Sequence, residues 1–189
     1  MKVNLLRPET LDGALEFIGH CAGICYNSSL EPNACIKRAV SCKDKGHLAT
    51  LRFAHATFHI TGISRACSHQ FVRSKHLDFL QRSQRYCKED EASFVYPGTT
   101  SDTLISSAYQ SAMARYKELL EAGVKKEDAR FVLPEGTQTE LIVTGNLQAW
   151  LDFIKLRADK HAQWEIRAVA KEINNQLAAK LDPLFTWMP

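Results

Sequence analysis

The sequence predicts an α+β fold: a small antiparallel sheet flanked by helices, in a single domain. Three observations carry this expectation. Segments of strand character are short and few, at 2–6, 54–60, 79–87 and 137–143, while the helical patterns between and after them run longer. Strands and helices do not alternate in a regular series, and no glycine-rich loop follows a strand, which argues against a parallel dinucleotide-binding domain. A chain of 189 residues suits one core.

The elements follow in order. Lys2–Leu6 reads as a strand closed by Pro8. Thr10 is placed as the N-cap of a helix through Leu11, Leu15, Phe17 and Ile18 to Cys21, broken at 27–29. Pro32 opens a second helix through Cys35, Ile36 and Val40, and Gly46-His47 ends it. In 54–60, Ala56, Phe58 and Ile60 alternate with His55, Thr57 and His59, the pattern of a half-buried strand. Gly62 is read as the turn into a helix over 64–75, on which Gln70 and Arg73, three apart, share a face. A strand over 79–87 would set Gln81, Ser83 and Arg85 on one side, so that Ser83 and Arg85 enter one site together. A polar loop with Pro97-Gly98 leads to an amphipathic helix over 103–122 that ends at Gly123. A short helix over 125–131 stops at Leu133-Pro134, and a strand over 137–143 follows. Two helices complete the chain: 146–156, striped by Leu147, Trp150, Leu151 and Ile154, and 161–181, carrying Trp164, Ile166, Val169, Ile173 and Leu177.

Charge and composition narrow the function. A net charge of +3 suits an anionic small molecule, and there is neither a nucleic-acid-binding motif nor an aromatic platform. No apolar run is long enough to span a bilayer and MKVNLLRPET is no signal peptide, so a cytoplasmic protein without membrane contact is expected. The six cysteines are scattered and are read as free thiols. Cys21 and Cys25 can share a helix face beside His20 but lack a second ligand pair, so no metal site is expected. His55 and His59 are read as solvent-facing strand residues rather than ligands.

Chemistry concentrates in 62–86, GISRACSHQFVRSKHLDFLQRSQRY. Arg65, Arg73, Lys75, Arg82 and Arg85 sit there among apolar residues and neutral hydrogen-bonders such as Gln70, Gln81, Ser83 and Gln84. Guanidinium forks with hydroxyls and amides on an apolar frame suit a phosphorylated small molecule, because phosphate takes bidentate arginine and neutral donors. The plainer alternative is a basic helix and strand with solvated heads.

This stretch resembles the signature of the flavin-dependent thymidylate synthases, the ThyX family, which is Arg-His-Arg, seven residues, then Ser. Here Arg73-Ser74-Lys75 is followed after seven residues by Ser83, with GISRACSHQ ahead and SQRY behind. Three further blocks are similar to the family in the same order: GHLATLRFAHATF, EDARFVLP and FIKLRADKHAQWEIR.

The resemblance implies reductive methylation of dUMP to dTMP. FAD would be the hydride donor after reduction by NADPH, methylenetetrahydrofolate the carbon donor, and the assembly a homotetramer with sites shared between subunits. It implies a site built from 62–86 and 128–167. Carried over by position, dUMP would be bound by Gln70, Arg73, Gln81, Ser83, Arg85, Arg130 and Arg157, with Arg157 the catalytic arginine. FAD would be bound by His47, Arg73, Ser74, Lys75, Gln81, Asn146, Gln148 and Asp152. Ser83 is a nucleotide ligand in this reading, and no cysteine is required as a nucleophile. From composition alone, Arg157 would instead pair with Asp159 or another nearby acid.

The chain departs from the family's pattern mainly on the flavin side. Ser74 replaces His, Lys75 replaces Arg, Gln81 replaces Glu, Gln148 replaces the Arg of Asn-Ala-Arg and Asp152 replaces Asn. Ala49 stands where a small hydroxyl residue is common, and Leu51-Arg52-Phe53 replaces Leu-Glu-His. The changes at 81 and 148 remove one charge of each sign and are expected to compensate each other. Two alternatives are an enzyme of the same architecture with altered chemistry on a pyrimidine nucleotide, and a nucleotide-binding homologue that has lost catalysis.

Overall fold

The computed structural model describes residues 1–188. Four strands, β1 (Lys2–Leu6), β2 (His55–Ser64), β3 (Leu77–Gln81) and β4 (Gln138–Asn146), form one antiparallel sheet in the order β1-β2-β4-β3. The helices are α1 (Ala14–Ile24), α2 (Pro32–Asp44), α3 (Arg65–Phe71), α4 (Asp102–Glu121), α5 (Lys126–Ala129), α6 (Leu147–Arg157) and α7 (Trp164–Leu181). The predicted α+β class is what the chain adopts.

The period-two pattern of β2 decides which face is covered. Ala56, Phe58 and Ile60 are buried, as are Leu141 and Val143 of β4. Against them pack Trp150, Phe153 and Ile154 of α6 and Ile166, Val169, Ile173 and Leu177 of α7. Phe58 meets Trp150 edge-on at 4.9 Å, and the Trp150 indole N–H donates to the Ala56 carbonyl at 3.0 Å. Each such large side chain contributes about 1.5–3 kcal/mol relative to exposure. The other face of the sheet is polar: Thr57 meets Thr144 at 2.8 Å, and His59 meets Glu140 at 3.3 Å. A second pair of helices, α1 on α2, packs where Gly19 lets the backbones approach; a Cβ there would lie 1.8 Å from the Cys35 carbonyl oxygen.

Several boundaries differ from the sequence reading. Thr10 caps no α-helix: residues 8–11 form a 3-10 turn in which its hydroxyl donates to Arg7 O, and α1 starts after Gly13, at φ 75°. Gly62 does not leave the sheet. At φ 70° it sits at the register shift between Thr61 and Ile63, and β2 runs on to Ser64. Helix α3 ends at Phe71, four residues early, and a turn with His76 at φ 61° follows. Strand β3 ends at Gln81, with one further ladder bond from Arg82 N to Glu140 O. Helix α7 begins at Trp164, because Asp159 accepts from the His161 amide and ring and so holds the preceding residues in a turn.

Candidate functional site

The residues singled out in the sequence fall into three groups. The first surrounds a cleft of about 360 Å³ lined by Arg65, His69, Gln84, Arg130, Pro134 and Glu135. Arg130 lies where α5 passes into a 3-10 turn over Arg130–Val132, and its Nε donates to the Glu127 carbonyl at 3.0 Å. The Glu127 carboxylate takes Nε of Arg85 at 2.7 Å. One residue therefore orients two guanidiniums, one through its backbone and one through its side chain. Arg85 holds the Glu127 carboxyl below the ordinary glutamate range, first by the hydrogen bond and then by its charge.

Ser83 and Arg85 are not strand neighbours on one side, and neither lines that cleft. They belong to the turn after β3, in which the Arg85 amide donates to Ser83 Oγ at 3.3 Å and the Cys87 amide to Ser83 O at 2.8 Å. Arg65 lines the same cleft. Burial lowers the pKa of its guanidinium, Glu135 acts in the opposite direction, and Arg130 adds to the lowering. Two cations facing one concavity suit an anion.

The second group lies at the far end of α3. Arg157, the last residue of α6, donates through Nη2 to the Gln70 carbonyl at 3.0 Å. It does not pair with Asp159, whose carboxylate is taken by His161. Among the described residues Arg157 has no carboxylate partner, and its Nε is buried without a hydrogen bond. Ser74 Oγ is buried and unpartnered in the same way. Arg157 and Asp152 line a cleft of about 510 Å³. Arg73 and Lys75 are exposed in the turn after α3, so Gln70 and Arg73 do not share a helical face.

The third group joins the 3-10 segment Leu48–Phe53 to the start of α6. Asn146 caps α6, its Oδ1 accepting from Ala149 N at 2.9 Å. Gln148 Oε1 accepts from Arg52 Nε at 2.6 Å. Asp152 lies one turn further along α6, and His47 is exposed just before the 3-10 segment. Gln81 belongs elsewhere: its amide donates to Ser68 Oγ at 2.9 Å and Thr139 Oγ1 at 3.2 Å, between the sheet and α3. Positions 81 and 148 therefore have different partners. The side chain that meets Gln148 is Arg52.

Three residues were not assigned roles from the sequence. Arg65 and Glu127 complete the first group. Glu165 of α7, only 3% exposed, accepts from the Ser64 amide at 2.8 Å and from Ser64 Oγ at 2.5 Å. Ser64 Oγ in turn accepts from Cys67 N at 3.0 Å. This is the hydrogen-bond pattern of a capping box with the acid supplied from another helix. A local scan finds Cys67 where the acid would stand, and so misses it.

A larger cleft, about 590 Å³, runs between Arg7, Gly13, Phe17, Phe53, His55 and Thr57 and holds none of the assigned residues.

The antiparallel α+β scaffold thus sets Arg65 and Arg130 in one cleft and Arg157 in another. A family model described as thymidylate synthase complementing protein matches residues 8–183, and the chain belongs to that family. It is 35% identical to a flavin-dependent thymidylate synthase of Mycobacteroides abscessus over 201 residues, covering 92% of this chain and 79% of the relative. The enzyme of the same description from Mycobacterium tuberculosis strain H37Rv is 36% identical, with the same shares covered. That of Mycolicibacterium gilvum is 34% identical over 93% of this chain and 80% of its own length.

Proposed function

We propose that the protein is a flavin-dependent thymidylate synthase that converts dUMP to dTMP, with methylenetetrahydrofolate as carbon donor and NADPH as the reductant of FAD. The observation that carries this reading is Arg157, a guanidinium anchored to a main-chain carbonyl, without a carboxylate partner among the described residues and with one buried N–H unspent. Such a cation, fixed before the reaction, stabilises negative charge as it develops on a pyrimidine ring. Arg85 and Arg130 take the nucleotide phosphate with Ser83, and Gln70 and Arg73 complete the substrate contacts near Arg157.

The flavin-side residues fit their cofactor by donor chemistry. Among the described residues Arg52 offers two terminal nitrogens without a hydrogen bond and Gln148 its amide, an arrangement suited to a phosphate-bearing group. FAD, when bound, supplies the hydride. His47, Asn146, Gln148 and Asp152 would hold it, with Ser74 and Lys75 from the turn after α3. Gln81, its amide spent on Ser68 and Thr139, acts by holding β3 and α3 together. A cysteine nucleophile is not needed: burial pushes the Cys67 thiol well above its ordinary pKa, which keeps it protonated and inert.

The Arg130 cleft and the Arg157 cleft share no lining residue within one chain. That separation supports a site completed by other copies, in a homotetramer. The single domain uses 62–86 and 128–167 for most of the site. A cytoplasmic location accords with the small-molecule substrates, and among the described residues no helix is long and apolar enough to cross a membrane.

The test is the visible absorption spectrum of the protein reconstituted with FAD and titrated with dUMP. The expected result is retained flavin, a band shift on adding dUMP, and dTMP formation when the folate and NADPH are supplied. Binding of dUMP by calorimetry without flavin retention or dTMP would overturn the reading.

A further inference from the structure

We propose that Arg52 is a ligand for the phosphates of the flavin dinucleotide, supplying from the 3-10 segment the guanidinium that position 148 lacks. The inference rests on the flavin-dependent reading above and adds a residue to it. Positions 52 and 148 are 96 residues apart, and both depart from the pattern the chain otherwise resembles, which has Glu at the first and Arg at the second. In the fold they touch, Arg52 Nε donating to Gln148 Oε1 at 2.6 Å. Glu opposite Arg would place a cation on α6. Arg opposite Gln keeps a polar contact in the same place and moves the cation to the facing segment. Arg opposite Arg would set two guanidiniums against each other, so the amide at 148 is what allows Arg52 to stand there.

The geometry suits a ligand. Nε is the only atom of the Arg52 guanidinium with a hydrogen bond shown, and among the described residues no carboxylate pairs with it. Both terminal nitrogens of an exposed fork are left to meet an anion. Because Gln148 presents its oxygen to Arg52, its NH2 is directed away as a second donor group. The base of the fork is fixed: Leu51 beside it is fully buried, and Ala54 O accepts from Leu147 N at 2.9 Å, which ties the segment to the first residue of α6. A planar cation beside a neutral amide donor suits the charged phosphoryl oxygens.

The experiment measures FAD dissociation constants by flavin fluorescence for the wild type, Arg52→Ala, Arg52→Glu and the double variant Arg52→Glu/Gln148→Arg, with riboflavin as a phosphate-free probe. Arg52→Ala is expected to weaken FAD by about tenfold to a hundredfold, the effect of losing a charge-assisted hydrogen bond, and to leave riboflavin unaffected. Arg52→Glu should be weaker still, and adding Gln148→Arg should recover most of the loss. Thermal melts of each variant separate these effects from misfolding. Unchanged FAD affinity in Arg52→Ala, or a double variant no better than Arg52→Glu, overturns the inference while wild-type flavin binding keeps the functional reading intact. Absence of FAD binding by the wild type would overturn both.

Discussion

The cations proposed for the nucleotide and for the flavin are held by different means. Arg157 and Arg130 are anchored by main-chain carbonyls, those of Gln70 and Glu127, whereas Arg52 is anchored by the side chain of Gln148. A carbonyl is present whatever residue carries it, so Arg157 and Arg130 keep their aim when neighbouring side chains change. A side-chain anchor has to change together with the residue it holds. Arg130 and Arg157, held by carbonyls, match the family's pattern, while 52 and 148 depart from it as a touching pair; Arg85 also matches but is held by the Glu127 carboxylate.

The sharpest way to break this comparison is Arg157→Ala. It should lower kcat by about 10²–10³-fold, the scale of removing one preorganised charge-stabilising group. The melting temperature should barely move, since the guanidinium anchors no buried carboxylate. A kcat within threefold of wild type would mean that the nucleotide side is not where the chemistry is held. Glu165→Ala comes next. It strips acceptors from the Ser64 amide and hydroxyl and should cost about 2–4 kcal/mol in urea unfolding. Because it loosens the start of α3, whose other end offers the Gln70 carbonyl to Arg157, it should also raise KM for dUMP while FAD affinity stays near wild type. An equal loss of FAD affinity would show that the two sides are not independently anchored.

Arg130→Ala and Arg65→Ala test whether the first cleft reads phosphate. Each should weaken dUMP by about tenfold in calorimetry and leave deoxyuridine unaffected. The double variant should lose less than the sum, because each guanidinium is relieved of its neighbour's repulsion when the other is removed. Strict additivity, or an equal effect on deoxyuridine, would remove phosphate from that cleft.

The fold was legible wherever one segment carries its own pattern. Period-two burial in 54–60 and the long stripes of the last two helices correspond to β2, α6 and α7, although Asn146, read as the first residue of its helix, is instead the N-cap of α6. Reading failed where the deciding contact comes from a distant residue. The limits of β3 and α3 depend on pairing with β4 and on the turn at His76, neither of which leaves a local signature. The cap on Ser64 is completed from residue 165, and the partner of Gln148 is residue 52. The expected compensation between 81 and 148 was drawn from charge alone, without knowing the neighbours of either residue.

The smallest expected effect isolates the two kinds of anchor within a single residue. Glu127 holds Arg85 by its carboxylate and Arg130 by its carbonyl. Only the first can titrate. Because Arg85 lowers the Glu127 pKa in the folded chain, the carboxylate contributes stability that is fully present above the unfolded pKa, about 4.3. That contribution fades as pH falls through the lower folded value. The pair is exposed, so the slope it adds to stability against pH is small. Glu127→Gln should flatten the urea-unfolding curve in that acid window alone and leave it parallel to wild type near neutrality. At neutral pH the same variant should weaken dUMP by only about twofold or threefold, the effect of a less well aimed Arg85, since Arg130 keeps its carbonyl. A loss as large as that of Arg130→Ala would mean that the Glu127 carboxylate, rather than the backbone, sets the aim of both arginines.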